Sequence, residues 1–337
     1  MKKEKNKLGI AIIGMGLIGK RRLEIARGDT DVNVVGVYDL ESQRSQGLDI
    51  KTYENLDTLL SDPEVECVIV ATLPESNVEI TKKALLAGKH VLVEKPLAWQ
   101  KKVAEEIVLL SRETNRLVKV GFNHRHHPAL MEAHNLVEAG KIGELMYIKA
   151  SYGHGGREGY GKEWRMQSKI SVGGELFDQG VHIIDLAYWF LGPFSKVCAV
   201  TRNYFWKDSD LEDNAFCILE TEDGKIAQIH ASVTEWKNNF SFQIYGTTGY
   251  IHIKGLGKSY GIERLVLGQQ EELGRPYLES NSEYPGRDIS WEKEWEEFKA
   301  AVTQSRRPLA DAQDNVEVVK ALEGLYISAR EGKKISI

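Results

Sequence analysis

The stretch Leu8–Gly19 reads LGIAIIGMGLIG and decides how the first part of the chain folds. An apolar run, Ile10–Ile13, leads into GMGLIG, and a helical pattern begins at Lys20. G-x-G-x-x-G therefore stands between a strand and a helix, where the glycines allow a tight turn, close approach of a pyrophosphate and close helix packing. Free N–H groups at the helix start then face the phosphates. The predicted dinucleotide-binding residues of this turn are Gly14, Gly16, Leu17, Ile18 and Gly19.

A second apolar run, Val32–Tyr38, ends at Asp39, about twenty residues after the glycine-rich turn. A carboxylate at this place can accept hydrogen bonds from both hydroxyls of an adenosine ribose, and it repels a 2′-phosphate at close range. Asp39 therefore favours NAD as the cofactor. Arg44 lies nearby and leaves NADP open. A purely structural interpretation of Asp39, as a polar residue that ends a strand, stands beside this one.

Length and charge narrow the class of protein. The 337 residues are enough for two domains with separate cores. A net charge of -5 gives no electrostatic reason to expect nucleic acid or an anionic membrane as partner. The basic start, MKKEKNK, precedes a short strand and not the apolar segment of a signal peptide, and no apolar stretch approaches a membrane span of about 20 residues. We expect a cytoplasmic protein.

The cysteines favour buried thiols. Cys67, Cys198 and Cys217 are far apart, and each lies inside an apolar, strand-like segment. This spacing is not typical of a disulfide framework or of a zinc site.

Strands and helices alternate up to about residue 122. Strands are predicted at Cys67–Ala71, His90–Val93 and Leu117–Gly121, with helices at Asn77–Ala87 and Ala98–Thr114. This alternation predicts an α/β Rossmann domain over residues 1–122, with a parallel sheet and helices on both faces.

From residue 123 the pattern changes. A helix at Pro128–Gly140 and an alternating strand at Glu144–Tyr152 precede a glycine-rich, aromatic loop over residues 153–170. After a helix through Leu191, hairpin-linked strands follow between Val197 and Ile253. They predict an α+β domain over residues 123–337 with a large, mostly antiparallel, open-faced sheet.

Two helices, Ser290–Ser305 and Asp311–Glu331, are predicted to finish the chain. The last one is expected either in the second domain or packed back on the first. An open sheet face of this size usually meets another subunit, so we expect a homodimer or homotetramer.

Three further motifs carry chemistry: Glu94-Lys95-Pro96 after a strand, Trp164-Arg165 in the loop, and GGELFDQGVHIID over residues 173–185. Together with the glycine-rich turn, they resemble the marks of the glucose-fructose oxidoreductase and inositol dehydrogenase family of NAD(P)-dependent enzymes. The resemblance covers essentially the whole chain. It implies hydride transfer between nicotinamide and a hydroxyl-bearing carbon of a sugar, cyclitol or sugar derivative.

Asp178 and His182 are i and i+4 on one predicted helical face, with Asp185 one turn further, so their side chains can converge. Alcohol oxidation removes the hydroxyl proton as hydride leaves carbon, and histidine, with an ordinary pKa of about 6.5, suits that base. We predict His182 as the general base, against the alternative of a satisfied core histidine. Asp178 either orients His182 or holds a substrate hydroxyl.

Lys95 lies just past the end of a strand, where open α/β sheets bind ligands. Its ammonium can hydrogen-bond the reacting hydroxyl and favour developing alkoxide charge. The resemblance implies a cis peptide before Pro96. The predicted catalytic residues are Lys95, Asp178 and His182.

Further cofactor contacts are predicted on the loop after the third strand and in the long loop. Many members of the family carry a histidine where this chain has Asn77, so this contact is a departure from the pattern. Trp164-Arg165 matches a pair that reaches toward the nicotinamide in many relatives, and Trp164 has an equal interpretation as a loop anchor. The cofactor-binding set is completed by Thr72, Pro74, Asn77, Glu94, Lys95, Trp164 and Arg165.

The cluster His124-Arg125-His126-His127 suggests a metal, since His124 and His126 would share one face of a strand. No carboxylate or cysteine lies at ligand spacing, and hydride transfer does not need a metal if lysine and histidine act. We therefore expect no metal and favour a polar patch near the substrate. The predicted substrate-binding residues are Lys95, Asn123, Arg125, Arg165, Asp178 and His182.

Two other functions compete. The loop over residues 153–170 contributes Arg157, Lys162 and Arg165, which can meet the diphosphate of a nucleotide sugar. The family also includes regulators that bind dinucleotide without turnover. These tend to lose the catalytic lysine or histidine, whereas this chain keeps Lys95 and His182.

Overall fold

The computed structural model describes residues 7–168, 171–270, 275 and 278–337, with Trp164 described in its backbone only. The chain divides into two compact units. The first comprises the described residues up to Phe122 together with Trp291–Val316, and the second comprises Asn123–Ser290 and Glu317–Ile337. The sequence pattern predicted a second domain over residues 123–337 and allowed the last helix to pack back on the first domain, whereas the structure groups residues 291–316, which include most of the helix before it, with the first unit.

The first unit is built on a parallel sheet of strands β1 (Leu8–Ile13), β2 (Val32–Tyr38), β3 (Cys67–Val70), β4 (His90–Val93) and β5 (Val118–Val120). Their order across the sheet is β2-β1-β3-β4-β5. Strands β1 and β3 are buried along their whole length, as expected for parallel strands covered on both faces. The order turns back between β1 and β3, which opens a crevice at the carboxyl ends of these strands. The predicted α/β class is confirmed.

Four helices connect these strands: α1 (Leu17–Arg27), α2 (Leu56–Ser61), α3 (Pro74–Leu86) and α4 (Lys101–Glu113). Helix α1 begins earlier than predicted, at Leu17 and not at Lys20, because the third glycine of the motif lies inside its first turn. Helix α3 also begins earlier, because Pro74 is preset for the first helical position.

The second unit contains helices α5 (Pro128–Glu138) and α6 (Val181–Leu191), which pack against a large sheet. Within the described residues its order is β13-β12-β11-β10-β6-β9-β8-β7-β14, and the β6–β9 pair is parallel while the others are antiparallel. The predicted α+β class with a mostly antiparallel sheet is confirmed. Its strands are β6 (Leu145–Gly153), β7 (Phe194–Arg202), β8 (Asn214–Thr221), β9 (Ile226–Ser232), β10 (Asn239–Gly246), β11 (Gly249–Lys254), β12 (Glu263–Gln269), β13 (Leu278–Tyr284) and β14 (Ile335–Ser336).

Strands β12 to β14 were not predicted. Strand β13 reads LESNSEY and is almost entirely exposed, so it shows no apolar alternation from which a strand could be recognised. Strand β14 has two residues and pairs with β7 at the other edge of the sheet.

Two further helices, α7 (Ser290–Thr303) and α8 (Ala312–Glu331), lie between β13 and β14 in the chain. Trp295 and Phe298 of α7 are buried in the core of the first unit with Ile10 and Ile12 of β1. This packing explains why the chain returns to the first unit. None of the helices in the described ranges is long and apolar enough to cross a membrane.

Arg22 of α1 is fully buried and links three elements of the first unit. Its guanidinium donates to Glu94 Oε1 from Nε (3.0 Å) and from Nη2 (2.7 Å), and Nη2 lies 2.6 Å from Glu294 Oε2 of α7. Trp291 stacks over the guanidinium at 4.4 Å. Burial raises the pKa of Glu294. One buried cation therefore holds two carboxylates, one at the end of β4 and one on α7.

We expect Arg22→Met to lower the free energy of unfolding by about 3–5 kcal/mol at about pH 8, because two buried carboxylates lose their cation. The loss should be smaller at about pH 5, where Glu294, whose folded pKa is raised above its unfolded value, binds a proton more readily. Urea unfolding followed by circular dichroism at both pH values measures this difference.

Arg21→Met is the matched control, since Arg21 also stacks on Trp291 but is partly exposed. Its expected effect is below about 1 kcal/mol. An equal loss in both variants, or a loss in Arg22→Met that does not change with pH, would contradict the role given to Arg22.

Candidate active site

The glycine-rich turn has the geometry that a dinucleotide needs. Gly14 has φ +92, and a Cβ on it would lie 2.5 Å from the carbonyl oxygen of Ala71. A Cβ on Gly19 would lie 1.8 Å from the carbonyl oxygen of Gly14, so helix α1 meets the turn at backbone contact. A Cβ on Gly16 would have no described heavy atom within 4 Å. The first and third glycines make the turn, and the second leaves open space over the backbone.

The start of α1 suits an anion. Gly16 provides no capping side chain, and the first turn holds no acidic residue. The turn includes Ile18, and Leu17 beside it is 85% exposed. Helix N-termini present backbone N–H groups and a partial positive charge, so the described residues here fit a pyrophosphate.

Asp39 follows β2 and holds the glycine-rich turn. Its Oδ2 accepts a hydrogen bond from the Met15 amide at 2.6 Å, and its Oδ1 accepts one from the Glu41 amide at 2.8 Å. Each carboxylate oxygen has two lone-pair directions, so both oxygens can still accept a ribose hydroxyl. Arg44 forms a surface ion pair with Glu41 at 2.7 Å.

The structure corrects the predicted position of Asn77. Asn77 lies inside α3 and not on the loop, and it is 1% exposed. Its Oδ1 accepts from the Thr72 hydroxyl at 2.8 Å, and its Nδ2 donates to the carbonyl of Glu94 at 3.3 Å. The helix begins at Pro74, which turns Asn77 inward, so Asn77 supports the neighbouring loops and is poorly placed to contact a dinucleotide.

Lys95 follows β4 in a turn, and the residue before it, Glu94, is held by two hydrogen-bond partners. The side chain of Glu94 is bound by Arg22, and the Glu94 carbonyl is bound by Asn77. Lys95 itself is partly exposed, and the Lys95–Pro96 peptide is cis, as the resemblance implies. Glu94, predicted to bind the cofactor, thus has its carboxylate engaged by α1.

In the second unit, Asp178 lies in a single π-helical turn, Leu176–Gly180, that runs directly into α6. The sequence predicted an ordinary α-helix here. π-turns of this length are frequent at functional sites because they shift the side chains relative to an α-helix. The Asp178 carboxylate Oδ2 lies 3.1 Å from Nε of Arg165. The structure therefore brings together two predicted site residues, Asp178 and Arg165.

Glu212 holds the start of this π-turn, a residue that the sequence analysis did not find. Its Oε1 accepts from the amides of Gly174 (3.1 Å) and Leu176 (3.2 Å) and from the hydroxyl of Tyr326 (2.7 Å). Burial raises the pKa of Glu212. A Cβ on Gly174 would lie 2.1 Å from the Glu212 carbonyl oxygen. The glycine signalled a close approach, but no sequence pattern indicated which residue approaches.

His182 is 6% exposed and is the second residue of α6, directly after the π-turn. Its ring centroid lies 3.9 Å from that of His124 and 6.3 Å from that of Tyr152. Burial raises the pKa of Tyr152, and the nearby carboxylates of Asp178 and Glu175 act in the same direction. Asp178, Tyr152 and His182 thus belong to one polar and aromatic site within the second unit.

The residues Asn123–His126 form a short 3-10 turn, not the predicted strand, because the chain turns here into α5. Arg125 is 1% exposed and donates to both carboxylate oxygens of Asp185, from Nη2 at 2.7 Å and from Nε at 2.9 Å. Asn123 donates to the Ser290 hydroxyl at 2.9 Å. Arg125 was predicted to bind substrate, and Asp185 was expected to converge on the site. The ion pair between them anchors this turn to α6, and their predicted places at the substrate site stay predictions.

Arg165 is about one-third exposed and is bound by two acidic residues. Besides Asp178, it lies 3.8 Å from Glu163, which also pairs with Arg157 at 2.7 Å. The predicted nicotinamide contact of Trp164 concerns a side chain outside the described residues.

Among the described residues, no group of three or more histidine, cysteine, aspartate and glutamate side chains is arranged to hold a metal ion. His127 Nδ1 instead lies 2.7 Å from Glu263 Oε1, whose carboxylate also accepts from the amides of Gly257 and Ala129.

Two family models match the chain. The model described as an oxidoreductase family with an NAD-binding Rossmann fold matches residues 8–122, and the GFO/IDH/MocA C-terminal domain matches residues 130–252. Together they cover more than half of the chain, with one match in each unit.

Individual relatives agree with these matches. Levoglucosan dehydrogenase of Pseudarthrobacter phenanthrenivorans is 27% identical over 58% of this chain and 56% of its own length. Inositol 2-dehydrogenase 2 of Saccharopolyspora erythraea is 28% identical over 67% of each chain. The structure of a levoglucosan dehydrogenase in complex with NADH superposes with a TM-score of 0.86 at 21% identity, over 98% of this chain and 99% of that one, which is a likeness of fold. The chain thus belongs to the GFO/IDH/MocA family of oxidoreductases, and its first unit carries the NAD-binding Rossmann fold of that family.

Proposed function

We propose that this protein oxidises a secondary alcohol of a sugar, cyclitol or sugar derivative with NAD as hydride acceptor. The observation that carries the proposal is the pairing of Asp178 with Arg165, one turn before His182, in a chain whose NAD-binding turn is intact. The names of two relatives, a levoglucosan and an inositol dehydrogenase, support the substrate class.

His182 takes the proton of the substrate hydroxyl onto an imidazole nitrogen as the carbon–hydrogen bond breaks. NAD, when bound, accepts the hydride from that carbon. The ammonium of Lys95 donates a hydrogen bond to the substrate oxygen and favours its developing negative charge. Lys95 belongs to the first unit and His182 to the second, and each role is proposed from the surroundings of the residue in its own unit.

Asp178 is held by Arg165, which fixes its carboxylate for a neighbouring substrate hydroxyl. Of the two roles left open by the sequence, the proposal thus favours substrate binding. Asn123, Arg125 and Asp185 act indirectly by anchoring the turn beside His182.

In the first unit, the glycine-rich turn and the start of α1 would hold the pyrophosphate, and Asp39 the adenosine ribose. Three exposed leucines follow the ends of β1, β2 and β3: Leu17 (85%), Leu40 (89%) and Leu73 (46%). We assign them to the apolar faces of the adenosine. Leu17 was predicted with the glycine-rich turn. Leu40 and Leu73 were not predicted, although a leucine shortly after a predicted strand is visible in the sequence.

The contacts of the long loop do not favour a nucleotide-sugar substrate. Of the three cations that suggested one, Arg157 is paired with Glu163 at 2.7 Å and Arg165 with Asp178 at 3.1 Å. A regulator without turnover is not favoured either, since Lys95, Asp178 and His182 are all present.

The exposed face of the large sheet supports a homo-oligomer. Along β8, Ala215, Cys217 and Leu219 are buried, whereas Phe216 (45%) and Ile218 (40%) are exposed. Phe216 stacks on His230 of β9 at 4.3 Å, which widens this apolar face. A cytoplasmic location belongs to the same proposal, and the free cysteines suit a reducing compartment.

His182→Ala should lower the turnover of the true substrate by roughly 10²–10⁴-fold, the range typical of a positioned acid–base group, with NAD binding nearly intact. Wild-type oxidation should rise with pH through one ionisation near neutrality, because only neutral imidazole accepts a proton, and this limb should vanish or move in the variant. A panel of cyclitols, aldoses and nucleotide sugars, followed by NADH absorbance, provides the assay.

Lys95→Ala should also lower turnover strongly and should raise KM as well, a pattern that separates a substrate contact from a pure proton acceptor.

If His182 merely packs in the core, His182→Ala should lose stability with an unchanged pH profile. A folded His182→Ala protein with near wild-type turnover would remove this mechanism.

The protein should bind NAD more tightly than NADP, since the Asp39 carboxylate would repel a 2′-phosphate. Asp39→Asn retains an oxygen for the Met15 amide but removes the charge, so this variant should lose most of the discrimination. Titration of both cofactors by intrinsic fluorescence measures the ratio of the Kd values. Tighter binding of NADP by the wild-type protein would refute the prediction.

Sedimentation equilibrium at micromolar concentration should show a dimer or tetramer of the 38.0 kDa chain. Replacing exposed apolar residues of the sheet face with charge, as in Phe216→Glu with Ile218→Lys, should shift it toward monomer. Leu109→Glu, at a leucine 57% exposed on α4, is the control and should leave the mass unchanged. A wild-type protein that sediments only as monomer would count against an oligomer.

A further inference from the structure

We propose that His124 is a positioning residue that packs against His182. The contact limits the two imidazole rings to one positive charge between them. This inference rests on the proposed role of His182 as the base. It adds a second histidine that touches the base, so that orientation and protonation of His182 are set together.

The two imidazole rings are in close contact. Their centroids are 3.9 Å apart with planes inclined by 48°, and the side chains are 5% and 6% exposed. A ring this close on one side leaves His182 little freedom to rotate.

His124 is itself held on several sides. Its ring centroid lies 5.2 Å from Tyr152 of β6, 6.2 Å from Phe240 of β10 and 5.5 Å from His127. Its neighbour Arg125 binds both carboxylate oxygens of Asp185, which lies on the same helix as His182. The turn that carries His124 is thereby attached to the helix that carries His182.

Two imidazolium rings at this spacing would repel strongly in a buried site, so the pair titrates as a coupled unit. Among the described residues, the ring centroid of Tyr152 on β6 lies 6.3 Å from that of His182, and that of Tyr260 lies 5.0 Å from that of Tyr152. The carboxylates of Asp178 and Glu175 raise the pKa of both tyrosines. Burial, with a smaller effect of the acidic charges, raises the pKa of Tyr260 to about 12, so both tyrosines stay neutral near pH 7.

The sign of the effect follows from the repulsion. Repulsion from a positively charged His124 ring lowers the protonated fraction of His182 at a given pH. Removing that ring therefore moves the titration midpoint of His182 upward. Since alcohol oxidation needs neutral His182, the variant should lose relative activity on the acidic side.

The direct test is an NMR titration of the His182 ring protons in the full-length protein, in wild type, His124→Phe and His124→Gln. Phe keeps an aromatic ring and Gln keeps polarity, and neither carries the second proton. In both variants the midpoint should rise, so that the neutral fraction of His182 at about pH 6 falls several-fold. An unchanged midpoint in both variants would overturn the proposal and leave His124 as packing only.

His134→Phe is the matched control. His134 belongs to the same unit, and its described ring contacts are with Trp189 at 4.0 Å and Phe190 at 5.4 Å. It should not alter the titration of His182, and a shift as large as that in His124→Phe would also overturn the proposal.

A kinetic arm separates this proposal from the proposed function. With an active substrate, the rate at about pH 6 divided by the plateau rate should fall several-fold in both His124 variants relative to wild type. An unchanged ratio would overturn the proposal. If His182 proves not to be the base, the proposed function is wrong. The NMR result still decides whether the two histidines titrate as a coupled pair.

Discussion

The contact between the backbone of Gly14 and the first turn of α1 is the constraint on which the first unit depends. A Cβ on Gly19 would lie 1.8 Å from the Gly14 carbonyl oxygen, so any side chain there would push the helix away from the sheet. The same turn is bound by Asp39, whose carboxylate accepts the Met15 amide at 2.6 Å. Further along α1, the buried Arg22 binds Glu94 beside Lys95. The position of this one helix therefore affects both the NAD-binding turn and the lysine assigned to catalysis.

The second unit depends on a different set of contacts. Its site is built on a π-turn whose start is held by the Glu212 carboxylate, and the Glu212 carbonyl oxygen is so close to Gly174 that this residue has no room for a side chain. Arg165 binds Asp178 on this turn, and Arg125 binds Asp185 on the following helix. The partly exposed Arg165 and the buried Arg125 each bind a carboxylate and so fix the surroundings of His182.

Local pattern was enough to predict the two fold classes and most strands, because buried parallel strands and alternating antiparallel strands leave distinct apolar periods. It failed where a strand is polar, as in β13, and where a glycine meant contact with a distant residue, as at Gly174 and Glu212. It also did not show that Asp185 lies beside Arg125 and binds it. Such partners are fixed by tertiary packing and leave no local signal.

The measurement closest to the central claim follows the hydrogen itself. A substrate labelled with deuterium at the carbinol carbon should transfer that deuterium to the nicotinamide ring of NADH in the wild-type protein, and far more slowly in His182→Ala. The account predicts direct transfer without loss of label to water, because hydride passes from carbon to carbon in a site where His182 handles only the hydroxyl proton. Label appearing in water, or equal transfer rates in both proteins, would contradict it.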